Sequence, residues 1–225
     1  EKKHFDTVVA RYYDEHNKAH IFSAMSGGCE NVVIDNICIK YAGAFGVSSY
    51  GPNKNIYVTN CEMGYIGGFS RNKSLRLGNA IEFGGGADHY VVENNWIYQT
   101  FDTAITWQNT GFTTYKNITF ANNLLEYNVC DIEFFNTGGA DVDNFKVEGN
   151  LCRFTAAGWG NRPNDAGFRG IEGFIRATTS PLNISNWSFK NNIIDCPARY
   201  VYNWFNNYKQ NDQMKFSGNE YYIKQ

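Results

Sequence analysis

The sequence predicts an all-β solenoid, a right-handed parallel β-helix of about six to eight coils. Three observations predict it: a short segment recurs along the chain, an asparagine-rich corner follows at a fixed register, and apolar residues alternate with polar ones around that corner.

Six segments read alike: NVVIDNICI from Asn31, NIYVTNCEM from Asn55, HYVVENNWI from His89, NITFANNLL from Asn117, NFKVEGNLC from Asn144 and NWSFKNNII from Asn186. A seventh, weaker copy starts at Gln213, and successive starts lie 24, 34, 28, 27, 42 and 27 residues apart. Most of these intervals are near one solenoid coil, and alternation within each segment describes a strand with one buried face. Asn tolerates the left-handed backbone of a sharp corner. Asn94, Asn122 and Asn191 share one corner position, and Asn95, Asn123, Asn150, Asn192 and Asn219 share the next. Stacked coils bring such side chains into a hydrogen-bonded ladder. After the corner an inward apolar residue is expected at Ile39, Met63, Ile97, Leu125, Cys152 and Ile194. The next strand is centred on Val47, Ile81, Ile105, Ile132, Ile171 and Val201.

These corners, the coil length and the alternating strands resemble the right-handed parallel β-helix proteins of the pectin-lyase-like superfamily, over roughly residues 20–223. Gly78-Asn79-Ala80-Ile81-Glu82-Phe83 and Gly158-Trp159-Gly160-Asn161-Arg162-Pro163 are similar to stretches in uncharacterised bacterial members. The resemblance implies a carbohydrate ligand and an extracellular or periplasmic setting. It does not select a chemistry, because the superfamily holds hydrolases, lyases, esterases and non-catalytic binders. Such folds usually carry an N-terminal cap; residues 1–19 show no helical cap and read as the edge of a longer chain, with the β-helix domain over 20–225.

Composition narrows the field. A chain of 225 residues can bury one substantial core. Its 22 Gly, 4 Pro and 16% aromatic content suit strands linked by tight turns, not disorder. A net charge of -2 leaves no basic footprint for nucleic acid. No apolar run is long enough for a membrane span, and residues 1–4 lack the apolar stretch of a signal peptide. The six cysteines form no C-x-x-C pair and match no common zinc spacing; buried thiols are expected, with disulfides open. The histidines show no metal spacing, and Gly84-Gly85-Gly86 precedes no helix, so it reads as a turn and not a phosphate loop.

Function on a solenoid is expected where loops leave the repeat. The step from the post-corner apolar residue to the next strand centre is 7 or 8 residues in four coils. It is 18 from Met63 to Ile81 and 19 from Cys152 to Ile171. Two insertions at the same turn, with two compact coils between them, predict two walls and a floor. By the period of two, the floor's outward column is Ser48, Glu82, Thr106, Glu133, Glu172 and Tyr202. Small residues and Asp131 precede it, and Tyr50, Gly84, Gln108, Phe135, Phe174 and Trp204 follow it. Asp102 lies just upstream and is within reach of the same floor.

Clustered carboxylates repel, so one keeps its proton beside an ionised neighbour, and glycoside hydrolysis uses such an acid and base. The first reading is therefore a glycoside hydrolase with Glu82, Glu133 and Glu172 as catalytic groups and Asp102 and Asp131 as alternates. Thr106, Gln108, Trp159, Trp204, Arg76 and Arg169 are candidates for contacts to a polysaccharide or oligosaccharide. The second is a polysaccharide lyase, in which Arg169 or Arg76 acts as base and the carboxylates hold Ca²⁺; the hydrolase needs no cofactor. The third is a non-catalytic glycan-binding or structural segment, in which the Glu column is a solvated sheet face. Partner expectations are a glycan, no nucleic acid, no membrane and, because solenoid ends expose strand edges, an oligomer as an open possibility.

Overall fold

The computed structural model describes residues 6–7, 20–24, 28–71, 75–109, 111, 113–136, 139–160, 173–177, 183–195, 201–203 and 211–222. Three parallel sheets wind around one core, as the repeat predicts. The first sheet has eight strands, from Asp6–Thr7 and Ile37–Lys40 through Trp96–Thr100 to Glu220–Tyr222. The second has seven, among them Phe45–Tyr50, Ile81–Gly84, Thr103–Asn109, Cys130–Asn136 and Ile175–Ala177. The third has eight, from Glu30–Asp35 to Met214–Ser217. Only the first insertion adds an antiparallel pair among the described residues, Phe69–Arg71 with Leu75–Leu77.

Alternation produces the core directly. Ile39, Met63, Ile97, Leu125, Cys152 and Ile194 align across the first sheet, and all are fully buried. Phe83, Trp107 and Phe134 stack in register on the second sheet and meet Tyr115, Phe145 and Trp187 from the third. Truncating a ring such as Trp187 costs about 3–5 kcal/mol, because neighbours on three strands cannot collapse into the space. The described cysteines, Cys29, Cys38, Cys61, Cys130 and Cys152, are buried or half-buried and act as small core or corner hydrophobes; Cys196 lies outside the described residues.

The asparagine corner is built as expected. Asn95, Asn123, Asn150 and Asn192 each donate from Nδ2 to Oδ1 of the next coil's Asn at 2.9–3.0 Å, ending at Asn219. Each also donates to a strand carbonyl of the coil before, and each Oδ1 accepts a backbone N–H, so the buried amides are satisfied on both sides. The preceding position is left-handed throughout: Asn36, Asn60, Asn94, Asn122, Gly149, Asn191 and Gly218 have φ of 53–65°.

Two further left-handed columns were not expected. The first is the Asn or His that opens each repeat. Asn31, Asn55, His89, Asn117, Asn144 and Asn186 have φ of 52–58° and kink the third-sheet strands. The other closes the first-sheet strands and holds Tyr41, Tyr65, Gln99, Tyr127 and Phe154.

Register corrects the sequence reading in the fifth coil. Ile132 pairs with Ile175, and Glu133 with Arg176, so the strand resumes four residues later than expected and Ile171 is not its centre. Ile175 then pairs with Tyr202 and Arg176 with Asn203, which moves the next strand by one residue from Val201. The insertion is correspondingly longer. Phe174, expected in the Gln108 column, is instead a buried residue adjacent to Ile175.

Candidate functional site

The outward column of the second sheet reads Ser48, Glu82, Thr106, Glu133 and Arg176, with the Asn203 backbone next in register. An arginine stands where Glu172 was expected, and Glu172 itself lies outside the described residues, as do Arg169 and Trp204. Arg76 is in the short hairpin, its backbone opposite Ser70; its side chain is not described.

This face is not solvated. Glu82 and Glu133 are each 2% exposed, Thr106 is fully buried and Asp102 is 3% exposed. Removing a carboxylate from water is costly unless donors replace the lost hydration. Here they do. Glu82 accepts hydrogen bonds from the Tyr50 hydroxyl, from Asn79 Nδ2 at 2.5 Å and from Gln108 Nε2 at 3.2 Å. Asn79 is fixed in turn because its Oδ1 accepts the backbone N–H of Thr103 at 3.0 Å. Burial first, and then the charge of Glu82, push the Tyr50 phenol far above its usual range, so it remains a donor. Glu133 lies 3.3 Å from Nη1 of Arg176, whose side chain is 13% exposed. The hydroxyls of Thr103 and Thr106 approach it at 3.5 Å, the long limit for such bonds.

Glu82 and Glu133 flank Thr106 in one column, two coils apart, roughly 9–10 Å at the backbone. Asp131 shares a strand with Glu133, as expected, but its carboxyl is engaged elsewhere. Oδ1 accepts from Asn128 Nδ2 at 3.2 Å, and Oδ2 accepts from the Thr155 hydroxyl. Complete burial pushes this carboxyl up to about 7, against the lowering effect of those two bonds. Thr155 belongs to the start of the second insertion, so Asp131 ties that insertion to the floor.

The two insertions do not stand apart as walls. Trp159 donates from Nε1 to the Gln99 carbonyl at 2.7 Å, and its backbone N–H reaches Gln99 Oε1 at 3.0 Å. The indole packs on Phe101 with centroids 4.8 Å apart. It also touches Gly68 of the first insertion, where a Cβ would come within 2.6 Å of the ring. One side chain thus bridges both insertions over the compact coils between them, and the expected groove is bridged at this turn. Gly158 permits the crossing, since a Cβ there would meet the Tyr127 carbonyl at 2.6 Å.

Sequence reading missed Asn79, Asn128, Thr155 and Arg176, and it placed Tyr50 in the column beside the carboxylates without a role. One signal was available: Asn79 precedes Glu82 by three residues, and Asn128 precedes Asp131 by three, each pair closed by a side-chain bond. Among the described residues no cluster of three or more His, Cys, Asp or Glu could hold a metal ion. A pocket of about 530 Å³ at another corner, lined by Cys29, Asn53, Lys54 and Asp88 among others, contains none of the expected site residues. In comparisons with known proteins, the chain matches no family model, no curated protein and no solved structure.

Proposed function

We propose that this β-helix belongs with the pectin-lyase-like carbohydrate-active enzymes and acts as a glycoside hydrolase through Glu82 and Glu133. One observation carries the reading: two buried, hydrogen-bonded carboxylates occupy one sheet column on either side of Thr106. Such an arrangement is expensive for a fold to keep without a task. Arg176 offsets the charge of Glu133, whereas the Tyr50, Asn79 and Gln108 donors to Glu82 are neutral. One of the two carboxyls serves as general acid for the leaving oxygen, and the other acts on water or on the sugar. Thr106 and Gln108 line the space between them. Asp102 and Asp131 remain alternates.

A polysaccharide lyase is the second reading, favoured by one observation: Arg176 places a cation on the floor itself, where a uronate carboxylate would need one. Incubation with a polysaccharide panel, following reducing ends and the absorbance of unsaturated uronates, separates the two. Reducing ends alone, with a fall of about 10²–10⁴-fold in Glu82→Gln and Glu133→Gln, are expected for the hydrolase. A rise in absorbance lost with Arg176→Met supports the lyase. Unchanged turnover in both glutamine variants removes the column from the chemistry.

A further inference from the structure

The three left-handed columns differ in composition. Asn, Gly and His fill the first two, and these residues accept a positive φ at little cost. The third holds Tyr41, Tyr65, Gln99, Tyr127 and Phe154, with φ between 53° and 61°. A bulky ring gains nothing from that backbone, and Asn would make the same turn more readily. Aromatic identity at this column therefore answers to something other than the turn.

The rings are also exposed. Tyr41 is 75% exposed, Tyr65 43% and Tyr127 38%, and Trp96 on the adjoining strand is 43% exposed. They form two groups along the axis, Tyr41, Tyr65, Tyr98 and Trp96 in one and Tyr127 with Phe154 in the other, with Gln99 between them in the column. Tyr41 stacks on Tyr65 at 5.3 Å, Tyr65 meets Tyr98 edge-on at 5.6 Å, and Tyr98 meets Trp96 at 4.7 Å. Tyr127 stacks on Phe154 at 4.7 Å. Gly64 makes room for the band, because a Cβ there would lie 2.4 Å from the Tyr98 ring. The Tyr98 hydroxyl is held by Glu62 at 2.7 Å. Five coils contribute, a length of about 19 Å along the solenoid axis.

Charge on this face cancels. Lys40 pairs with Glu62 at 2.5 Å and Arg153 with Glu126 at 3.3 Å, and Glu126 also accepts the Trp96 indole N–H at 3.0 Å. A uronate polymer or a nucleic acid needs net positive charge, which is missing among these groups. What remains is a neutral row of exposed rings bordered by hydrogen-bonding groups. Each of these five coils contributes at least one ring, and coils stack roughly 4.7–4.9 Å apart, a step close to the length of one hexose unit.

We propose that this aromatic track binds a neutral linear polysaccharide, laid along the solenoid axis with its sugar faces on Tyr41, Tyr65, Tyr98 and Tyr127. The site is separate from the carboxylate column and does not depend on that column being catalytic.

Affinity electrophoresis through gels containing hydroxyethylcellulose, mixed-linkage β-glucan or glucomannan tests it, with polygalacturonate as the acidic comparison. The variant is Tyr41→Asn/Tyr65→Asn/Tyr127→Asn, which removes the rings and supplies the residue that the backbone prefers. At least one neutral glycan should retard the parent protein and polygalacturonate should not. The triple variant should weaken retardation about tenfold or more, with a thermal midpoint equal to or above the parent's. Tyr41→Asn alone, at the most exposed ring, should lose several-fold and keeps the test open should the triple variant fold poorly. Glu133→Gln should be retarded like the parent, which separates this track from the hydrolase reading. The proposal is overturned if no neutral glycan retards the protein or if Tyr41→Asn and the triple variant bind as the parent does. It also fails if binding disappears in Glu133→Gln instead, or if light scattering shows that the rings join two copies of the chain.

Discussion

The asparagine corner and the carboxylate floor both bury polar side chains coil after coil, and they do so in opposite ways. At the corner one residue type repeats, and each amide meets the same partners as the one before. On the floor every coil differs: Ser48, Glu82, Thr106, Glu133 and Arg176 share one column, and each buried charge has its own set of partners. Repetition serves the fold, because a self-satisfying amide has no desolvation debt. Irregularity at equal burial spends stability, since a buried ion pair seldom outweighs an apolar replacement. That contrast is the physical reason to look for function on the floor.

The contrast is broken most directly at the ion pair. Glu133→Ala leaves Arg176 buried beside no carboxylate from that position and should cost about 3–5 kcal/mol by denaturant unfolding, most of it recovered in Glu133→Ala/Arg176→Met. If the double variant is no more stable than the single one, the pair is not the source of the cost. Asp131 comes next. Its folded-state proton affinity is raised, to about 7, so the folded chain holds a proton that the unfolded chain releases. Stability from this group is full below about pH 4, falls as pH rises towards 7, and is absent above. Asp131→Asn, which keeps partners for Asn128 and Thr155, should match the parent near pH 4 and gain at most about 4 kcal/mol at pH 8. Thermal midpoints across that range decide it, and a pH-independent difference would contradict the assignment. At the corner, Asn123→Ala removes bonds to Val92, Asn95 and Asn150 and should cost about 2–3 kcal/mol. A loss no greater than the roughly 0.5 kcal/mol of an ordinary surface substitution would remove the special status of the ladder. Thr106→Val should change stability by less than about 1 kcal/mol, because its bond to Glu133 is long. A larger change would mean that the hydroxyl matters more to the floor than its distance implies.

Much of the fold was legible because it is periodic. The inward residues Ile39 to Ile194 and the ladder from Asn95 to Asn219 stand at fixed offsets, and nothing in the coil competes with that pattern. The floor was legible only up to Glu133. Gly170-Ile171-Glu172 carries the same small-apolar-acid pattern as Ala80-Ile81-Glu82, but an insertion has no period, so the point where the strand resumes is decided by packing; Ile175 and Arg176 take the register. The bridge made by Trp159 was hidden for the same reason, since a loop's reach across two coils leaves no trace in spacing. Tyr, Gln and Phe do not announce a left-handed backbone as Asn does, and so the aromatic column passed unnoticed. Of the donors around Glu82, Tyr50 and Gln108 come from neighbouring coils, and only the Asn79 offset could have been read locally.

The ladder bears on how the chain acquires its shape. All four amide-to-amide bonds run the same way, from each coil's Nδ2 to the following coil's Oδ1. A finished coil therefore acts as a template: it presents donors at a fixed height, and the incoming asparagine must arrive with its oxygen in that place. A slip by one residue sends it to the opposite side of the strand. Assembly then resembles zipping from a nucleus, with contacts between coils about a turn apart in sequence, and proofreading occurs at every tooth.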